Sequence, residues 1–191
     1  MNLRDEAERY RSELEFFIKI HDLPPHWFDK PDYFAIKAYS KDAYTRTIEQ
    51  LMLGALDMVS EWKPDKRRVA VIKLLGRYSI DMTMEFSDKK TKVEWLRIAE
   101  DKPDFDDEYT TPVVLDHMGV YFERGLIPIR NVLRRRGIDY LPGFERYDNS
   151  RHEWLSALIN RKIPADELRF NEARLEDITM DKVILGHAER Q

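Results

Sequence analysis

The strongest constraint on this chain is a stretch of strand-forming sequence that occurs twice at one fixed spacing. Asp32-Tyr33-Phe34-Ala35-Ile36 matches Asp116-His117-Met118-Gly119-Val120 position by position, at an offset of 84 residues. As a strand, residues 32 to 39 place Phe34, Ile36 and Ala38 on one face and Tyr33, Ala35 and Lys37 on the other. Helical signals follow each copy. After the first, Ser40 is a candidate N-cap, Asp42 stands in the first turn, and Tyr44, Ile48, Leu51, Met52 and Ala55 make an apolar stripe over residues 41 to 55. After the second, Leu126, Ile129 and Leu133 recur at helical spacing, with Arg134-Arg135-Arg136 in the last turn and Gly137 beyond it. Solenoid repeats are shorter and more numerous, so the pattern reads as a duplicated module.

The remaining strand signals complete two β-α-β-β-β units. In the first they are Arg68 to Leu74, the alternating run Tyr78 to Phe86, and Val93 to Glu100. In the second they are residues 138–147, 152–160 and 166–172. Leu3, Ala7, Tyr10, Leu14 and Phe17 predict an amphipathic opening helix. The Leu23-Pro24-Pro25 segment ends it, because proline lacks the amide donor. The acidic, proline-containing run Asp101 to Pro112 is the best linker candidate. The expected fold class is therefore α+β: two modules forming a cup-shaped mixed sheet with helices outside. The expected parts are an N-terminal helix and proline loop (1–31), a first module (32–100), a linker (101–112) and a second module with a C-terminal helix (113–191), in one compact domain.

Composition narrows the chemistry. Of 191 residues 42% are hydrophobic and 36% charged, which predicts a globular chain with a very polar surface. The 32 basic and 36 acidic side chains are interspersed and sum to −4, so no basic field attracts nucleic acid or anionic lipid. No cysteine is present, which removes disulfides and thiolate chemistry and leaves His, Asp and Glu as metal ligands. The seven glycines fall in no phosphate-cradling or nucleophile-elbow pattern, and no nucleotide, flavin or haem is expected. No apolar run is long enough to span a membrane, the first residues are too acidic for a leader, and a cytoplasmic location is the expectation.

The Asp116-His117-Met118-Gly119-Val120 strand followed by Leu141-Pro142-Gly143 resembles the vicinal oxygen chelate (glyoxalase-like) superfamily. Leu168-Arg169-Phe170-Asn171 leading into Leu175-Glu176-Asp177-Ile178 is similar to the terminal strand and helix of its YecM-like branch. The resemblance covers roughly residues 10 to 185 and implies paired β-α-β-β-β modules around a cup. It also implies one divalent metal held by a His or Gln on the first strand and a Glu on the last strand of each module. By position, His117 matches the second-module histidine; Glu100 or Glu94 stands for the first glutamate, and Glu167 or Glu172 for the second. Tyr33 occupies the place of the first-module histidine, and a neutral phenol is a poor ligand for most divalent ions.

For each residue a plainer reading stands beside the functional one. His117 is a metal ligand or general base, or else a hydrogen-bonded pocket histidine. His152 alternates with Trp154 and Ser156, either sharing the cup or facing solvent. His21 and His26 flank prolines that forbid a shared helical face and read as loop residues. Lys37 and Arg169, mid-strand, are anion-binding candidates if they point inward. Tyr33 and Tyr121 join them as substrate-binding candidates, and Glu100 and Glu172 are the candidate proton carriers. The polar series Ser79, Asp81, Thr83 and Glu85 fits a cup lining or a solvated surface equally. The expected function is binding of a small polar or anionic metabolite, with lyase, isomerase or dioxygenase type chemistry if a metal polarises it. The alternative is a non-catalytic ligand-binding or protein-interaction member with a degenerate metal site. A homodimer through the first helix is a further expectation.

Overall fold

The computed structural model of the chain describes residues 2–29, 31–52, 57–62, 67–74, 76–87, 89–101, 112–147, 150–159, 167–175 and 177. Helix α1 (Leu3–His21) opens with the Asn2 side chain accepting from the Arg4 amide and closes at Asp22, in the left-handed region at φ 47°. A 3-10 turn at Pro25–Phe28 leads into β1 (Pro31–Ala38). The Ser40 hydroxyl caps α2 (Lys41–Met52) by accepting from the Ala43 amide at 3.0 Å. Then come β2 (Asp57–Trp62), β3 (Val69–Lys73), the two-residue pieces β4 (Ile80–Asp81) and β5 (Lys92–Val93), and β6 (Trp95–Glu100). The second half contributes β7 (Val113–Tyr121), α3 (Ile127–Arg135), β8 (Leu141–Tyr147), β9 (Ser150–Leu158) and β10 (Glu167–Asn171).

Among the described residues eight strands form one mixed sheet in the order β2-β3-β6-β1-β7-β10-β9-β8. Read outward from the antiparallel β1–β7 seam, both directions follow one plan: the first strand of a half lies parallel to its last, and the middle two follow antiparallel. The seam register has the spacing of 84 built into it. Pairs Tyr33↔Gly119 and Ala35↔His117 exchange under that offset, as do Pro31↔Val120 and Ile36↔Leu115, while Phe34↔Met118 maps onto itself.

One face of this sheet carries the main core. Phe34, Ile36, Met118, Val120, Leu168 and Phe170 are buried there against Tyr10, Leu14 and Phe17 of α1, Tyr44 of α2, and Ile129 and Leu133 of α3. At roughly 1.5 to 3 kcal/mol per buried large apolar side chain, this face supplies the main drive for folding. The apolar stripe of α1 is thus spent on the core and not left for a second copy; Phe16 and Ile20 are the large apolar side chains that the helix leaves exposed. The opposite, inner face carries Tyr33, Ala35 and His117.

One expectation for the first half needs correction. The alternating run Tyr78 to Phe86 is not a strand of the main sheet. The Asp81 carboxylate accepts from the Thr83 amide at 2.8 Å and turns the chain, so only Ile80–Asp81 pairs, with Lys92–Val93. Ile80, Met82 and Met84 are buried in the main core, while Asp81 and Glu85 face solvent. The strand that takes its place is β2, whose period is broken by a register shift between Met58 and Ser60. The linker expected at 101–112 has its ends tied to β1, through Asp101 N to Ala38 O at 2.8 Å and Tyr39 N to Pro112 O at 3.0 Å; 102–111 lie outside the described residues. So do 53–55 of the expected second helix and most of the expected C-terminal helix. Among the described residues no helix is long and apolar enough to cross a membrane.

Candidate functional site

The inner face is read from the ladder. One row across the four central strands runs Arg97, Ala35, His117, Glu167; the adjacent row places Tyr33, Gly119, Arg169 and Ser156 side by side. The two arginines hold equivalent places, since Arg97 is in register with Ala35 and Arg169 with Gly119, the positions the offset exchanges. Both small residues leave room above them. A Cβ at Gly119 would fall inside the Tyr33 ring, so glycine there lets the phenol lie across β7 and reach the imidazole.

Tyr33 Oη and His117 Nε2 are 3.3 Å apart, and His117 Nδ1 is 2.6 Å from Asp116 Oδ2. A carboxylate can only accept, so Nδ1 carries the proton and the phenol donates to Nε2. Adjacent residues on a regular strand point to opposite faces, and Asp116 reaches His117 because the strand bulges. Ala35 pairs with His117 and Ile36 with Leu115, leaving Asp116 as an extra residue turned to the inner side. The equivalent Asp32 is also extra, between Pro31 and Tyr33, and its carboxylate accepts from the Leu175 amide at 2.6 Å.

Lys37 Nζ lies 2.8 Å from Asp116 Oδ1, which makes a chain of Lys37, Asp116, His117 and Tyr33. His117 is fully buried. Burial is the main reason its pKa falls to about 3, the Arg169 charge adds to the fall, and Asp116 opposes it. Burial pushes the Asp116 carboxyl upward, but its contacts with His117 and Lys37 outweigh this and hold it well below the usual carboxylate range. With the imidazole neutral at physiological pH, Lys37 is the charge that keeps Asp116 ionised. For Lys37, burial lowers the pKa and Asp116 more than reverses that, so the net shift is up.

Glu167 stands beside His117 in the ladder, accepts from Ser156 Oγ at 2.7 Å and lies 3.5 Å from a terminal nitrogen of Arg169. The Arg169 guanidinium sits 4.2 Å over the Trp154 ring, and its buried Nε has no hydrogen-bond acceptor among the described residues.

The predicted residues therefore divide. Tyr33, Lys37, His117, Glu167 and Arg169 come together on the inner face. Tyr121 shares that face one row beyond Gly119, with Arg174 4.9 Å over its ring. His152 shares it too, but lies six residues along β9 from Leu158, the partner of Glu167, or about 20 Å at ~3.3 Å per residue. Glu100 does not reach the site: in register with Ala38, it takes the other face and pairs with Arg68 at 2.8 Å. Glu172 follows β10 and accepts from the Glu153 amide at 2.7 Å. Glu94 is exposed beside Asp32 and Trp95. Reading by residue type missed Asp116 and Arg97. The signal for Asp116 was two adjacent polar residues in an apolar strand, which strict alternation cannot bury on one side.

These donors do not fit a divalent ion. His117 faces a phenol on one nitrogen and a carboxylate on the other, Glu167 is engaged with Ser156 and Arg169, and two guanidinium charges lower the imidazole pKa. Among the described residues no three His, Asp or Glu side chains converge. A metal centre needs the opposite balance of charge.

No protein-family model matches the chain, and no curated protein does. Solved structures similar to it include a hypothetical protein from Bacillus halodurans, with 11% identity and a TM-score of 0.48 over 75% of this chain and 94% of the other. A methylmalonyl-CoA epimerase from Streptomyces coelicolor aligns at 13% identity and 0.45 over 75% and 97%. A variant of 4-hydroxymandelate synthase from the same organism aligns at 12% and 0.39 over 80% and 55%. The chain's own strand order and seam register are those of two β-α-β-β-β units joined edge to edge.

Proposed function

We propose that the chain binds a small anionic metabolite, a carboxylate, on the inner face of the sheet between Arg97 and Arg169, without a metal ion. Arg169 carries the proposal. Its side chain is only 15% exposed, and among the described residues its Nε donor has no acceptor and its one carboxylate neighbour, Glu167, is 3.5 Å away. A buried guanidinium with an unmet donor is costly, and a ligand carboxylate offers the two parallel acceptors that its fork requires. Trp154 beneath it fixes the plane. Lys37 and Glu167, at 34% and 25% side-chain exposure, show that this face retains access from outside.

Binding is favoured over proton transfer, because a general base works best with a pKa near the operating pH and burial holds His117 far below it. This is the non-catalytic alternative, with the imidazole serving as a fixed hydrogen-bonding group. The same proposal takes residues 32–100 and 113–191 as two copies of one ancestral unit, on the strength of the seam register, and keeps the YecM-like branch on the strength of the sequence resemblance.

The test is calorimetric titration with short mono-, di- and hydroxycarboxylates. Arg169→Ala should weaken the best binder at least about tenfold, equivalent to ~1.4 kcal/mol, with Arg169→Lys in between. Binding unchanged in Arg169→Ala, or none in the native protein, would overturn the proposal.

A further inference from the structure

A second cavity, which shares Tyr121 with the inner face but is lined by none of Lys37, His117, Glu167 or Arg169, opens where the 3-10 turn after α1 meets the end of β7 and the start of α3. Its volume is about 620 Å3, within the range of small-molecule sites, and Trp27, Tyr121, Phe122 and Ile129 give it apolar walls. The walls are fixed: Trp27 packs edge-on against Phe122 at 5.5 Å and against the core ring of Phe170 at 6.0 Å. An apolar body would therefore meet preformed aromatic walls.

The charges at the rim narrow the ligand further. Asp29 is engaged by Lys89 at 2.6 Å, which neutralises that pair. Arg124 and Arg174 have no carboxylate partner among the described residues, and Glu123 is the acid left to oppose them. One positive charge is in excess. Arg174 lies over the Tyr121 ring, so its guanidinium is already directed at the cavity wall by a contact that leaves its donors available. We infer that this cavity is a binding site for an aromatic monocarboxylate, its ring held among Trp27, Tyr121 and Phe122 and its acid group met by Arg124 and Arg174.

Calorimetry with naphthoate as the probe, and naphthalenemethanol as its uncharged counterpart, tests this. Naphthoate should bind, the alcohol at least about tenfold more weakly. Arg124→Ala and Arg174→Ala should each reduce naphthoate affinity several-fold and together abolish the preference for the acid. Both arginines are exposed, so the variants should melt as the native protein does. Arg169→Ala should leave naphthoate binding unchanged, which separates this site from the inner face. Equal affinity for acid and alcohol, retention of naphthoate binding in the double variant, or its loss in Arg169→Ala would each overturn the assignment.

Discussion

Tyr33 and His117, equivalent positions in the two halves, meet each other across the seam, the phenol oxygen 3.3 Å from the imidazole Nε2. The contact depends on Gly119, over which the Tyr33 ring lies. Gly119→Ala should destabilise the protein by about 1–3 kcal/mol through overpacking. In a Tyr33→Ala background the same substitution should cost much less, and urea unfolding of the four proteins gives the coupling. Additive effects would show that the ring and the glycine are not in contact.

His117 makes stability depend on pH. Its folded pKa of about 3 lies below the ordinary 6.5, so below 6.5 the unfolded chain takes up a proton that the native protein refuses. Stability is full above about 6.5 and falls as pH drops toward 3, by at most ~1.4 kcal/mol per pH unit. Asp116, held down by Lys37 and His117, adds a loss only below its own ordinary value of 3.8. Unfolding measured at steps between these limits should slope downward in the native protein and run flatter in His117→Gln. Parallel slopes would contradict the assignment.

Lys37→Met removes the cation that keeps a buried carboxylate charged. Because Lys37 is one-third exposed and partly screened, the expected cost is about 2 kcal/mol, less than for a fully buried pair. Lys37→Met combined with Asp116→Asn should recover part of it. A single variant as stable as the native protein would mean that the pair carries no net energy.

Adding Zn²⁺, Mn²⁺, Fe²⁺ or Ni²⁺ should leave the melting temperature unchanged, since a ligand of the native state alone would raise it. Glu100→Gln should leave carboxylate binding as it is, whereas Glu167→Gln, which removes the acid beside Arg169, should tighten it. A rise of several degrees with any of these ions would restore the metal reading.

The sequence shows the α+β class, helices α1, α2 and α3 and the second half strand by strand, because hydrophobic period and capping residues suffice where the ladder is regular. They fail where it is not. The shift at Met58/Ser60 erases the period of β2, and the Asx turn at Asp81 lends a strand-like alternation to residues that mostly do not pair. At the site, His117, Lys37 and Arg169 were legible as inward polar positions on their strands. Asp116 was not, since its orientation comes from a bulge, and Glu100 was misplaced because parity in β6 is set by pairing with β1.

The seam also has a consequence for synthesis. Strand β1 has β6 on one side and β7 on the other, and the second neighbour lies 84 residues downstream. Until β7 leaves the ribosome, the first half presents an unpaired edge bearing Phe34 and Ile36, a template for any strand that passes. Contacts this distant form slowly, so the nascent chain spends that interval exposed to mispairing with a second copy of itself. Demand for chaperones should peak while the second half is being made.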